Sequence, residues 1–394
     1  MTMKHKILAC GIPGIAGFIL LATTPFASAQ FYLQENLVSD LASPSGGAPK
    51  IVDSNLVNPW GVAYGPTGPF WVANQGTATA TLYSVNGTTG AVSKLGLVVQ
   101  IPASLTGAPK GPTGQVFNGG PNFVVSGGGA SGPALFIFSA LNGTISGWNP
   151  GVPPPPPSKQ AVLAATGAPP PTVYTGLAIG TSSKGDVLYA ANAAAGRVDV
   201  FDRNYVQISL PGSFTDPALP AGDKPFNIVN IDGRLFVTYE GPTGAVNIFD
   251  TDGNFIQRFA TGGTLHNPWG IALAPPEFGK FSNALLIGNF NHSPAGFNGP
   301  GNISAFDPVS GAFRGLLDDT SGTPVTIDGL WSLKFGNGHN GGIPTVLYFS
   351  AGIGSAPGVN LETHGLFGSF RPCAAANGGH TCDPGGLSAA PPKD

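Results

Sequence analysis

The chain has 394 residues, 60 of them Gly and 39 Pro, with only 9% charged residues and a formal net charge of −3. This composition is poor material for helices and good material for short strands and tight turns, and no basic stripe exists to neutralise phosphates, which excludes nucleic acid as a partner. An apolar content of 42% without any short repeat period points to a folded all-β protein and not to disorder.

At the N-terminus, Lys4 and Lys6 precede an apolar run from Ile7 to Ala22, and Ala27-Ser28-Ala29 is an A-x-A cleavage signal. Residues 1–29 read as a bacterial secretory signal peptide, with the mature chain starting near Gln30. The rival, a retained membrane anchor, has an apolar run short for a span. No span is therefore expected after cleavage, and a secreted or periplasmic location is. Cys10 falls inside the leader without a lipoprotein box around it. Removing Lys4 and Lys6 takes the formal charge from −3 to −5.

Next comes "FYLQENLVSDL", residues 31–41, which stands alone ahead of a series of repeats. The first repeat, "NPWGVAYGPTGPFWVANQGTATATLYSVNGTTGAV" from Asn58, holds three apolar runs separated by Gly, Pro and Asn turns, the pattern of a meander. A weaker copy starts at Gln115 ("QVFNGGPNFVVSGGG"), and the third and fourth start at Tyr174 ("YTGLAIGTSSKGDVLYAANAAAGRVDVFD") and Pro225 ("PFNIVNIDGRLFVTYEGPTGAVNIFD"). A fifth begins at Asn267, again with "NPWG", and a sixth at Gly329 ("GLWSLKFGNGHNGGIPTVLYFSAG"). Alternation such as Val198-Asp199-Val200-Phe201 marks the strands. Six units of about four short strands each predict an all-β, six-bladed β-propeller, since only a closed ring covers every blade face. Residues 30–370 are assigned to it, with 31–41 as an outer strand completing the last blade. In the second unit "FVV" is expected to be a blade strand. The run "PGVPPPPPSKQ" cannot enter a ladder and is expected to cross between the second and third blades; its alternative use is as a Pro-x-x-P partner motif.

Residues 371–394 read as a Gly-, Ala- and Pro-rich tail, poorly ordered apart from one staple. Cys373 and Cys382 are the two cysteines left after cleavage, and in an oxidising compartment a local disulfide is expected. A metal site built from them and His380 is the alternative, although C-x8-C is not a zinc spacing.

Units three and four, quoted above, pair a strand ending in a small residue with a loop and an apolar strand closing in Phe-Asp. In this they resemble the NHL repeat, a family of propeller blades. Over the whole chain "LVSDL", "NPWG" and "WVAN" resemble a family of secreted bacterial proteins, some of whose members carry a C-terminal PEP-CTERM sorting anchor. This chain ends in "LSAAPPKD", which departs from the anchored members. The resemblance implies a fold and no activity.

In such a ring the loops entering the innermost strands and those after the second strands share one face, the default binding site. Asn58, Trp60, Asn267 and Trp269 of the NPWG turns, Asn74, Asn192, Glu240, Asn289 and His292 after second strands, and Trp331 of the sixth blade are expected to line that mouth. Calcium-dependent lactonases and esterases on six-bladed propellers hold their metal there with oxygen ligands; the corresponding candidates are Glu240, Asp328, Asn58 and Asn192. No Gly-x-Ser-x-Gly, His-Glu-x-x-His or phosphate loop is present. His266 and His292 could pair as acid and base or be plain loop residues, and His339 and His364 lie elsewhere in the last unit. The tryptophans either pack between blades or form a platform for a sugar or flat apolar ligand. For the NPWG turn itself, Pro is expected to hold the preceding Asn extended while Gly lets crowded strands approach. The resulting expectation is a monomeric binding module for an extracellular polysaccharide or protein, with no cofactor evident beyond a possible calcium. The alternative is a metal-dependent lactonase-like hydrolase.

Overall fold

The computed structural model describes residues 31–102, 111–290, 299–376 and 379–382. The proposed leader, His292 and the chain beyond residue 382 lie outside the described residues.

Among the described residues six blade sheets follow one another along the chain, their blade strands antiparallel. From the axis outward, blade one is Pro59–Ala63, Phe70–Asn74, Thr79–Val85 and Val92–Gln100. Blade three is Tyr174–Ser182, Gly185–Asn192, Arg197–Asp202 and Gln207–Ile208, and blade four is Lys224–Ile231, Arg234–Glu240, Ala245–Phe249 and Phe255–Thr261. Blade five is Pro268–Leu273, Leu285–Asn289, Ile303–Phe306 and Phe313–Leu316. Blade six takes Leu330–Phe335, Leu347–Ala351 and Leu366–Ala376 from the end of the chain and its fourth strand, Phe31–Ser39, from the beginning. That last pairing is antiparallel, with Phe31 opposite Cys373 and Ser39 opposite Leu366, and Glu35 and Arg371 form an ion pair across it. The ring is closed by joining the two chain ends, as expected from the isolated stretch 31–41.

The burial pattern explains why alternating runs become nearly continuous buried strands. In Gly185–Asn192, Val187, Tyr189 and Ala191 pack against Leu235, Val237 and Tyr239 of blade four, while Leu188 and Ala190 face Ile137 and Ile145 of blade two. Successive side chains of a strand point to opposite faces, and here both faces meet another blade. Six apolar clusters fill the six interfaces in this way, including the one between blades six and one, where Val38, Tyr348 and Phe367 meet Phe70, Val72 and Tyr83. An open arc would leave two of these faces in water, at about 25 cal/mol for every Å² of apolar surface.

Blade two differs from expectation in two respects. Its innermost strand is Pro112–Phe117, followed in the sheet by Phe136–Ala140, Thr144–Trp148 and Val162–Thr166. The "FVV" segment instead begins a separate hairpin, Val124–Gly127 with Ala130–Pro133, because an insertion of similar composition gives the same alternating signal as a blade strand. The proline run lies inside blade two, between its third and fourth strands, and not between blades two and three. It forms a surface loop closed by the Ser158 N–H donating to the Pro150 carbonyl at 2.8 Å. Proline denies the loop a ladder partner wherever it sits, so composition alone could not place it.

The final strand runs to Ala376, pairs with Gly379–Thr381, and carries the disulfide between Cys373 and Cys382. Among the described residues no helix is long and apolar enough to cross a membrane.

Candidate functional site

The innermost strands begin at one end of the axis, and the residue ahead of several of them takes an unusual backbone conformation. Asn58 and Asn267 have φ of 45° and 50°, and at the same place in blades two and six stand Gly111 and Gly329, at 104° and 62°. Asn58 and Asn267 are therefore not extended, which corrects the expectation for the NPWG turn. Each of the four offers its carbonyl to an N–H just past the second strand: Asn58 to Gln75, Gly111 to Leu141, Asn267 to Phe290 and Gly329 to Gly352. In blade three Val173 offers its carbonyl to Ala193 in the same way without a left-handed backbone; where the backbone is left-handed, Asn is among the few side chains that tolerate it. Asn-Pro recurs because it does in two blades what glycine does in two others.

The next positions set how closely the strands pack. Gly61, Gly114, Gly176 and Gly270 occupy equivalent places in four blades, and a Cβ on Gly61 would stand 2.5 Å from the Thr113 carbonyl oxygen of the adjacent blade. Trp60, Trp269 and Trp331 immediately precede this ring of small residues and converge on the axis with Phe226 and Phe290. Trp60 stacks on Trp331 with ring centres 3.6 Å apart, Phe290 stacks on Trp331 at 4.2 Å, and Trp269 meets Trp60 edge-on at 6.0 Å. The three tryptophans are 4%, 3% and 1% exposed. They plug the axis and present no platform to solvent. The Trp269 Nε1–H donates to the Thr175 carbonyl at 2.9 Å and that of Trp331 to Asn58 Oδ1 at 3.0 Å, whereas Trp60 Nε1 is buried without a partner among the described residues.

The amides expected at the mouth are likewise engaged inside the fold. Asn58 donates from Nδ2 to Gln75 and Glu362, and Asn267 Oδ1 accepts the Gly241 N–H. Asn74, Asn192 and Asn289, each at the end of a second strand and fully buried, donate across to the third: Asn74 to Thr79 and Thr81, Asn192 to Asp199, Asn289 to Asn302 and Ser304. Glu240 takes the corresponding place in blade four. It is half-buried, and burial pushes its carboxyl above the usual range, an effect that Lys224 on the neighbouring strand reduces. Burial also holds the His266 imidazole below its ordinary value.

The four residues considered for a metal are spread over four elements. Asp328 lies on the way into blade six and accepts the Gly358 N–H at 2.7 Å. The amide oxygens that would ligate are already acceptors, that of Asn58 from Trp331 and that of Asn192 from the N–H groups of Val173 and Ala195. Among the described residues no group of three or more His, Cys, Asp or Glu could hold a metal ion.

Two features on this side of the ring have no sequence motif. His364 Nδ1 lies 2.7 Å from Asp40, whose other oxygen accepts the Gly365 N–H, and the His364 carbonyl accepts the N–H of Asn58. Beside them a groove of about 850 Å³ runs between the loop after Phe31–Ser39, the segment leading into blade six and the loop after its second strand. Leu41, Pro44, Val325, Pro357 and Leu361 line it, with Asp319 and Asp328 its charged groups among the described residues. Hydrogen bonds from Ser321 and from the N–H groups around it hold Asp319 below the usual carboxylate range. Three segments from distant parts of the chain form the groove, so no local signal could have marked it.

Against known proteins, the chain is 34% identical over 299 residues to "Uncharacterized protein R648" of Acanthamoeba polyphaga mimivirus, covering 71% of this chain and 69% of that one. It belongs to the same family as that mimivirus protein. A second mimivirus protein, "Uncharacterized protein L690", is 31% identical over 298 residues, covering 71% of this chain and 74% of its own length. These relatives come from a giant virus and lend no support to a bacterial source, an NHL repeat or a sorting anchor. No family model matches the chain. Among solved structures, the chain is similar to the WD40 β-propeller domain of Doa1, at 11% identity and a TM-score of 0.41, covering 87% of this chain and 96% of that one. It is similar also to the virginiamycin B lyase from Staphylococcus aureus, at 11% identity and a TM-score of 0.41, covering 81% of this chain and 96% of the other. The fold rests on the strand pairing above and not on such distant matches.

Proposed function

We propose that the protein is a binding module that takes a neutral or basic segment of another protein in the groove beside the axial plug. The observation that carries this reading is the contrast between two places on one face. Aromatic rings fill the axis and its amide N–H groups are spent on buried hydrogen bonds, while the neighbouring groove is large and carries proline and apolar side chains, with two carboxylates and no cation lining it among the described residues. A polysaccharide site would call for exposed rings and unspent amides; an apolar groove edged with acid suits peptide side chains and a basic partner. The disulfide agrees with work outside a reducing compartment.

A peptide array probed with the full chain and with a Thr326→Arg/Ala356→Arg variant tests the assignment. Preference for basic and apolar peptides over acidic ones, lost in the variant, is expected; identical profiles for the two proteins would overturn it. A calcium-dependent hydrolase is the second reading; it would draw on the half-buried Glu240 carboxyl, which ends the second strand of blade four where Asn74, Asn192 and Asn289 stand in other blades. It requires calcium to raise the melting temperature, and Glu240→Gln to abolish that rise.

A further inference from the structure

Beneath the aromatic plug all six innermost strands line an axial cavity of about 310 Å³, the volume of about ten waters in the liquid. Its walls combine glycine backbone, aliphatic side chains and the rings of Phe117 and Trp269 with the polar side chains of Gln115, Asn227, Asn230, Ser332, Tyr64 and Lys334, so polar and apolar surface share the lining. Lys334, on the innermost strand of blade six, is the one cation among them in the described residues. Its Nζ sits 4.8 Å from the centre of the Tyr64 ring. No ion pair among the described residues includes it, although Lys94, Arg197, Arg258, Lys280, Arg314 and Arg371 all pair with carboxylates.

Tyr64 supplies no counter-charge. Its hydroxyl donates to the Phe335 carbonyl at 2.6 Å, and burial pushes the phenol up to about 12. The side-chain amides of Asn227 and Asn230 donate to the carbonyls of Trp269 and Ile179. Gln115, 7% exposed, donates to the Gly61 carbonyl and keeps its Oε1 without a partner among the described residues. Lys334 is half-buried, and a ring face compensates its ammonium less than a carboxylate would. Burial accordingly holds the Lys334 ammonium below the ordinary lysine range.

We infer that the axial cavity is a second binding site, separate from the groove, for a small organic carboxylate whose anion pairs with Lys334 and whose apolar body lies against the aliphatic walls. Pairing would supply the missing counter-charge, and the walls would favour an organic anion over a hydrated inorganic one.

The test is thermal unfolding of the full chain with sodium benzoate, which has the required size and charge, at ionic strength held constant with sodium fluoride. Benzoate is expected to raise the midpoint in a saturable way, and neutral benzyl alcohol to bind at least about tenfold more weakly. Lys334→Met should weaken benzoate by a similar factor, and Lys334→Arg should retain it. No shift with benzoate, or equal shifts with benzyl alcohol, would overturn the site; chloride competing at equal affinity would overturn the carboxylate class. If Lys334→Met fails to fold, the wild-type comparison of benzoate with benzyl alcohol decides alone.

Discussion

Asn58 joins three structural roles in one side chain, which makes it the most informative position to perturb. It holds a left-handed backbone, accepts the buried Trp331 Nε1–H at 3.0 Å and donates to Gln75 and Glu362. Asn58→Ala strands a buried indole donor, worth about 1–3 kcal/mol, and places a side chain with no local hydrogen bond in a conformation that costs about 1–2 kcal/mol. The expected loss is about 3 kcal/mol. Asn58→Gly relieves the backbone contribution and keeps the stranded donor, so it should lose about 1 kcal/mol less. Trp331→Phe then separates the hydrogen bond from packing. Its cavity is the same in either background, but in Asn58→Gly it removes a donor that already lacks a partner. Urea unfolding of the four proteins, with m unchanged, should show Trp331→Phe costing about 1–2 kcal/mol less in the Asn58→Gly background. Additivity within about 0.5 kcal/mol would refute the coupling and leave Trp331 as a packing ring alone.

Three further outcomes follow from single contacts. Gly61→Ala places a methyl group against the Thr113 carbonyl and the Gln115 N–H of blade two, and should cost about 1–3 kcal/mol by overpacking, read as a lower urea midpoint. Tyr32→Phe removes a buried hydroxyl that donates to the Phe278 carbonyl at 2.8 Å and accepts the Phe281 N–H; both are stranded, and a loss of about 1–3 kcal/mol is expected by chemical denaturation. Asp53 is 2% exposed; burial alone would raise its carboxyl, but hydrogen bonds from Lys94, Asn55 and Tyr83 outweigh this and hold it below its usual range. Such a group stabilises above its unfolded value and loses that contribution as pH falls through the folded one. The melting temperature of the wild type should thus fall below about pH 4 more steeply than that of Asp53→Asn, which should already be lower at pH 7.

The architecture was legible because its signals are local. Period-2 runs such as Val198-Asp199-Val200-Phe201 and their recurrence at Tyr174, Pro225 and Asn267 identify blades, and the unmatched stretch at Phe31 could only serve as a closing strand. Where an insertion carried the same local signal, as at Val124–Gly127 in blade two, it was indistinguishable from a blade strand. The equivalence of Trp60, Trp269 and Trp331 was also legible, since each stands at the same step of its repeat.

What those equivalent residues do could be decided only by the ring. Sequence determines that Asn-Pro-Trp-Gly recurs. Whether the tryptophans face a ligand or one another depends on how six strands, up to 273 residues apart in the Trp331–Asn58 bond, converge on one axis. The backbone sign at Asn58 and Asn267 belongs to the same class: the following proline favours an extended residue, and the folded blade holds a left-handed one. The groove and the axial cavity are spaces between segments rather than properties of any one of them. Hydrophobic periodicity records which face of a strand is buried; what fills the volume where several strands meet is determined by packing, and packing is a property of the closed ring.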